Sequence, residues 1–106
     1  MAFTIKQNDT SPSLGATLKD AQLVPISLVG ATVKVHMNSI EGVVKVNQTM
    51  TVTDAENGVI QYNWQAGDTD TVGAYYAEFQ VTYVDGSVET FPNDGNLVVS
   101  VVKELN

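Results

Sequence analysis

The chain has 106 residues, 43% of them hydrophobic, and a formal net charge of −7 from twelve acidic and five basic side chains. Every basic residue is a lysine and there is no cysteine, which excludes disulfide staples and thiolate metal sites. The acidic balance and the absence of bidentate arginine argue against nucleic acid or an anionic membrane surface as a partner.

The length suits one domain over residues 1–106, because two smaller ones would each bury too little surface. The N-terminal Met1-Ala2-Phe3-Thr4-Ile5-Lys6 has no basic region followed by an apolar run, so no signal peptide is expected. The longest apolar-rich stretch, Leu97 to Val102, is too short to span a bilayer. The cysteine-free composition suits a reducing cytosol, or a particle assembled there.

Short alternating runs separated by turn signals follow one another along the chain. Phe3 to Gln7 alternates, and Asn8 to Ser13 is a polar break containing Pro12. Leu14, Ala16 and Leu18 alternate again before a turn over Lys19 to Gln22. Pro25 to Leu28 leads to Gly30. Ala31 to Asn38 predicts a strand with Val33, Val35 and Met37 on one face and Lys34, His36 and Asn38 on the other. Val43 to Asn47 and Met50 to Thr53 are shorter β-rich runs, and Asn57-Gly58 marks a turn.

Ile60, Tyr62 and Trp64 share a face, so Trp64 is expected at the core or its border. Gln65 to Val72 reads as a polar acidic loop. Gly73 to Gly86 predicts one long strand ending in a tight turn. Tyr75, Ala77, Phe79, Val81 and Tyr83 lie on its buried face and Tyr76, Glu78, Gln80 and Thr82 on the other. Asp85-Gly86 predicts a hairpin whose return arm is Ser87 to Phe91. Pro92 to Gly95 interrupts the sheet, and Leu97 to Val102 predicts the last strand. The sum is an all-β chain, an antiparallel β-sandwich of seven to nine short strands, with a small eight-stranded barrel as the alternative.

Little in the sequence points to catalysis. His36 is the only histidine and has no partner nearby in sequence for base or ligand work. An exposed or hydrogen-bonded histidine is expected there. Asp68 and Asp70 have the spacing of a calcium loop without its remaining ligands. Asp54, Glu56 or Asp94 would have to be brought in by the fold. The expected role of that loop is a solvated one, with Asp and Thr bonding the local backbone. No metal, cofactor or catalytic residue is assigned, and the chain is not read as an enzyme. Asn8-Asp9-Thr10 and Asn47-Gln48-Thr49 match the glycosylation sequon, a motif common by chance.

The run Gly73-x-Tyr75-x-Ala77 resembles the Gly-x-Tyr-x-Cys of the F strand in immunoglobulin domains, with Ala77 in the cysteine position. That likeness implies a cysteine-free Ig-like sandwich, with Tyr75 as a tyrosine corner. A wider ordered pattern covers nearly the whole chain. It comprises Phe3-x-Ile5 with Asp9-Thr10 and Pro12, Leu28-x-Gly30-Ala31-Thr32-Val33, and Asn57-Gly58-Val59-x-x-Tyr62-x-Trp64. It continues with Gly73-x-Tyr75-x-Ala77-Glu78-Phe79-x-Val81, then Asp85-Gly86, Thr90 and Pro92. This pattern resembles the N-terminal Ig-like domain of phage baseplate upper proteins and related tail and fibre proteins.

The resemblance implies a phage virion structural protein that attaches or decorates a tail, baseplate or fibre element through protein–protein contacts. It would be located in a virion assembled in the bacterial host cytoplasm. Its partners would be other virion proteins, in a homo-oligomer or a larger assembly. Relatives of this kind usually continue into a long helix and receptor-facing modules, whereas this sequence stops after its last strand. The expected interaction surface is Tyr76, Glu78, Val98, Ser100 and Val102. Val98 to Val102 and Phe3 to Gln7 are the expected sheet edges. The alternative function is a carbohydrate- or host-surface-binding module built on Trp64, Tyr76 and the Asp68–Asp70 loop. A bacterial adhesin repeat is a third reading.

Overall fold

The structure, a computed structural model, describes residues 2–93 and 95–105. Nine strands follow in chain order: β1 (Ala2–Lys6), β2 (Leu14–Thr17), β3 (Thr32–Ser39), β4 (Val44–Thr49), β5 (Thr51–Asp54), β6 (Val59–Tyr62), β7 (Gly73–Thr82), β8 (Val88–Phe91) and β9 (Leu97–Val102). They form a six-stranded sheet of order β1-β9-β7-β3-β4, with β8 also on β7, and a three-stranded sheet of order β2-β6-β5. The two sheets make the expected Ig-like sandwich.

Period-2 alternation supplies the core. Val33, Val35 and Met37 of β3, Tyr75, Ala77, Phe79 and Val81 of β7, and Leu97, Val99 and Val101 of β9 are all buried. They join Leu14, Ile60, Tyr62 and Trp64 of the small-sheet side in one hydrophobic cluster. Burying a side chain such as Phe79 contributes about 2–3 kcal/mol.

Strand β7 organises the large sheet. One border pairs with β3 from Tyr75↔Ser39 to Thr82↔Thr32. The other is shared, β9 taking Gly73 to Ala77 and β8 taking Phe79 to Thr82. The chain leaves the sheet between them at Pro92, which has no N–H to donate. At the far end of β7, Tyr83 N–H donates to Ser87 O and Gly86 N–H to Tyr83 O, closing the Asp85-Gly86 hairpin. Gly86 has φ +88°, and the Asp85 carboxylate accepts from the Ser87 amide.

The expected edges need one correction. Strand β1 borders the large sheet, but β9 does not: it lies between β1 and β7. β1 runs parallel to β9, from Ala2↔Val98 to Lys6↔Val102, and covers its backbone. Val98 to Val102 therefore offers side chains, not an open ladder.

The Asn57-Gly58 signal marks a real turn. A 3-10 turn, Ala55–Asn57, ends on Gly58 in the left-handed region at φ +68°. Here three segments meet: Leu18 N–H donates to Gly58 O, Ile26 N–H to Leu18 O, and Leu28 N–H to Ala55 O.

Candidate functional site

The six-stranded sheet turns one face to the core and the other outward. Strand register arranges the outward side chains in rows. Tyr76 stands opposite Val98 on β9 and Asn38 on β3. Val98 in turn faces Ala2 on β1, and Asn38 faces Val44 on β4. A second row holds Glu78, His36 and Asn47. A third holds Ala74, Ser100 and Thr4. The expected interaction residues Tyr76, Glu78, Val98, Ser100 and Val102 thus share one continuous face. Tyr76 is 41% exposed and Val102 36%, while Glu78, Val98 and Ser100 are half-buried.

His36 sits on this face in register with Glu78 and Asn47, half-buried and not fully exposed. Its Nε2 is buried and has no hydrogen-bond partner among the described residues. The ring lies on the polar face of its strand, as expected, but it is neither fully exposed nor hydrogen-bonded through Nε2. Both β-neighbours flank the ring, so partial burial follows from its central strand.

The glycan-binding residues are not assembled into a site. Trp64 is 4% exposed, and its indole N–H donates to Pro12 O at 3.1 Å. Its ring meets Tyr62 edge-on at 5.5 Å and Phe3 at 5.8 Å. The Asp68 carboxylate accepts from the Tyr62 hydroxyl (2.5 Å) and the Gln65 amide (2.8 Å). Asp70 pairs with Lys45 at 2.5 Å. The Lys45 ammonium and then the Thr71 hydroxyl hold the Asp70 carboxyl below its ordinary value. No cluster of three or more His, Asp or Glu side chains suited to a metal occurs among the described residues. Asp94, one ligand considered for such a cluster, lies outside them.

The acidic loop bonds its own backbone as expected, but it is not simply solvated. Thr69 is 2% exposed. Its hydroxyl donates to Asp9 O at 2.8 Å, and Asn8 N–H donates to Thr69 O at 3.0 Å. The loop is thereby tied to the segment after β1. Nothing local in Asp68-Thr69-Asp70-Thr71 signals this, because its partners are some 60 residues away.

Tyr75 does form the tyrosine corner. Its hydroxyl donates to Thr71 O at 2.6 Å, and the ring is 5% exposed. Tyr75→Phe is expected to destabilise the fold by about 1–2 kcal/mol, the cost of leaving that carbonyl without its donor. Chemical denaturation checks this; an unchanged midpoint would assign the corner no energetic role.

Two other tyrosines carry a pH signature. Burial, then the hydrogen bond to Asp68, raises the Tyr62 hydroxyl above its ordinary value of 10.0. Burial and the hydrogen bond to Glu89 push Tyr83 up to about 12. Both groups favour the neutral form in the fold. Their contribution is complete below the unfolded value near 10.0 and is lost as pH rises towards the folded values. Alkaline titration followed by tyrosinate absorbance should show these two hydroxyls ionising late and together with unfolding. Four tyrosines titrating alike near the unperturbed value would refute it.

An apolar cavity of about 280 Å³ opens between β2 and the large sheet, lined by Leu18, Leu23, Phe79, Phe91 and Pro92 among others. No catalytic constellation lines it among the described residues.

The sequence profile of the BppU N-terminal domain family matches residues 2–104, which include all nine strands. Among solved structures, the chain is similar to the N-terminal domain of phage TP901-1 ORF48. The TM-score is 0.62 at 16% identity, covering 98% of this chain and 85% of that one. It is also similar to CopC from Methylosinus trichosporium OB3b, with a TM-score of 0.54 at 12% identity, covering 98% and 86%. At these identities the structural likenesses establish the fold alone. No curated protein sequence matches the chain. By the profile match, the chain belongs to the BppU N-terminal domain family, a family of phage baseplate structural domains.

Proposed function

We propose that residues 1–106 act as one structural domain of a phage virion, joining a tail, baseplate or fibre element to the particle through protein–protein contacts. The observation that carries this reading is the extent of the family match: it runs over residues 2–104 and so covers the whole sandwich, not one local motif. The architecture supports it, since the buried hydrophobics form a single cluster. The outward row of Tyr76 with Val98 gives a central, partly apolar contact area of the kind protein interfaces use. Glu78, Ser100 and Val102 complete that surface. The partners are other virion proteins within a larger assembly completed in the host cytoplasm.

The test is composition of the particle. In gradient-purified virions of the encoding phage, quantitative mass spectrometry should find the chain at a fixed ratio to the baseplate proteins. Abundance in infected cells with absence from particles would overturn the proposal. Changing Tyr76 and Val98 together to glutamate should leave the melting temperature within a few degrees, because both point out of the core, and should reduce incorporation at least tenfold.

A further inference from the structure

Sheet borders leave backbone groups unpaired, and proteins usually protect them with charges, prolines, short strands or irregular register. Most borders here are protected. β1 carries exposed Lys6. β4 carries Lys45 and a register shift opposite Met37/Asn38. β5 ends on Asp54 with a shift at Val52/Asp54. β8 has four residues, Glu89 among them, and is followed by Pro92.

β2 is different. It has four residues, as β8 has, but its sequence Leu-Gly-Ala-Thr has no charge and no proline, and its register with β6 is regular from Leu14↔Tyr62 to Thr17↔Val59. The Leu18 amide donates towards Gly58. Antiparallel alternation then turns the Leu14 and Ala16 amides to β6 and the Gly15 and Thr17 amides and carbonyls outward. Both residues are exposed, and no hydrogen bond to another segment takes up their amides among the described residues.

Beside this border three strands face six, and the cover stops short. The cavity of about 280 Å³ lies there, between β2 and the half of the large sheet that holds Phe79 and Phe91. Lys19 is its only ionic residue among the described residues, a positive charge in a chain of net charge −7.

We propose that β2 receives an extended strand from a neighbouring virion protein. That strand pairs with the outward backbone groups of Gly15 and Thr17. It places one branched or aromatic side chain in the cavity and sets a carboxylate against Lys19. A second copy fits poorly: Leu14 of its own β2 is buried in its own core, the rest of that strand offers only the small side chains of Gly15, Ala16 and Thr17, and it has no carboxylate for Lys19. The inference rests on the virion reading above.

Hydrogen exchange of the chain, free and within intact purified particles, tests it without knowing the partner. The amides of Gly15 and Thr17 should exchange readily in the free chain and about a hundredfold more slowly in particles. Thr17→Pro, tolerated at a border whose N–H faces solvent, and Lys19→Glu should each lower incorporation at least fivefold against co-expressed wild type. Lys103→Glu should not. If the chain is present in particles with Gly15 and Thr17 exchanging as in the free chain, this inference fails and the virion role stands. Absence from particles overturns the virion role and this inference with it. Protection already present in the concentrated free chain would overturn the assignment to a different protein.

Discussion

Gly58→Ala is expected to destabilise the domain by about 3 kcal/mol, well beyond the effect of a turn glycine in open space. Two costs combine. The residue has φ +68°, where a Cβ is strained. A Cβ there would also lie 2.7 Å from both Ile26 O and Leu18 O. Neither is a flexible side-chain end: Leu18 O accepts the Ile26 amide, and Gly58 O accepts the Leu18 amide. Relieving the overlap would pull apart the junction of β2, the segment before β3 and the β5–β6 turn. Gly86→Ala is the control, since Gly86 has φ +88° but nothing within 4 Å of the added Cβ. It should cost about 1 kcal/mol. Urea denaturation of the two variants separates the costs. Equal losses would show that backbone conformation alone matters and that the junction yields.

This site also shows what the sequence could reveal. Asn57-Gly58 announces a turn through local backbone chemistry. The carbonyls that leave no room for a Cβ come from Leu18 and Ile26, and no local pattern points to them. Strands β3, β7 and β9 were legible because alternation is a local signal of a buried face. The position of β9 inside its sheet was not. Its partner β1 lies at the other end of the chain, and parallel pairing has no turn to announce it. The near-continuous apolar run Leu-Val-Val-Ser-Val-Val was the available hint, since interior strands tolerate apolar residues on both faces.

The candidate surface was legible for a similar reason. Tyr76 and Glu78 fall out of phase with the core on β7, and Val98, Ser100 and Val102 do so on β9. Strand pairing then had to put them side by side. The border of β2 was illegible, because whether a short strand is central or peripheral depends on what pairs with it. Leu-Gly-Ala-Thr says nothing of that until the small sheet is seen to end there.

Trp64→Ala is expected to cost about 4 kcal/mol, the larger of the two effects argued here. Trp64 lies two residues beyond the end of β6 yet keeps the inward phase of Ile60 and Tyr62, and all three are buried. Alanine would remove the edge-on contact with Tyr62 and the tilted contact with Phe3. It would also open a void where β1, the segment at Pro12 and β6 converge. At this chain length the loss corresponds to a fall in melting temperature of roughly 15–25 °C. Trp64→Phe keeps most of the apolar volume and loses only the indole donor to Pro12 O. It should cost about 1–2 kcal/mol. The same residue decides between functional classes. A tryptophan that stacks on sugar rings must reach solvent, so its fluorescence would be quenched readily by acrylamide and would shift when a glycan binds. The buried Trp64 is expected to emit at short wavelength, to resist acrylamide until the domain unfolds, and to ignore added glycans. As the only tryptophan in the chain, it gives an unambiguous reading. Strong quenching in the folded state would return the carbohydrate-binding alternative to consideration.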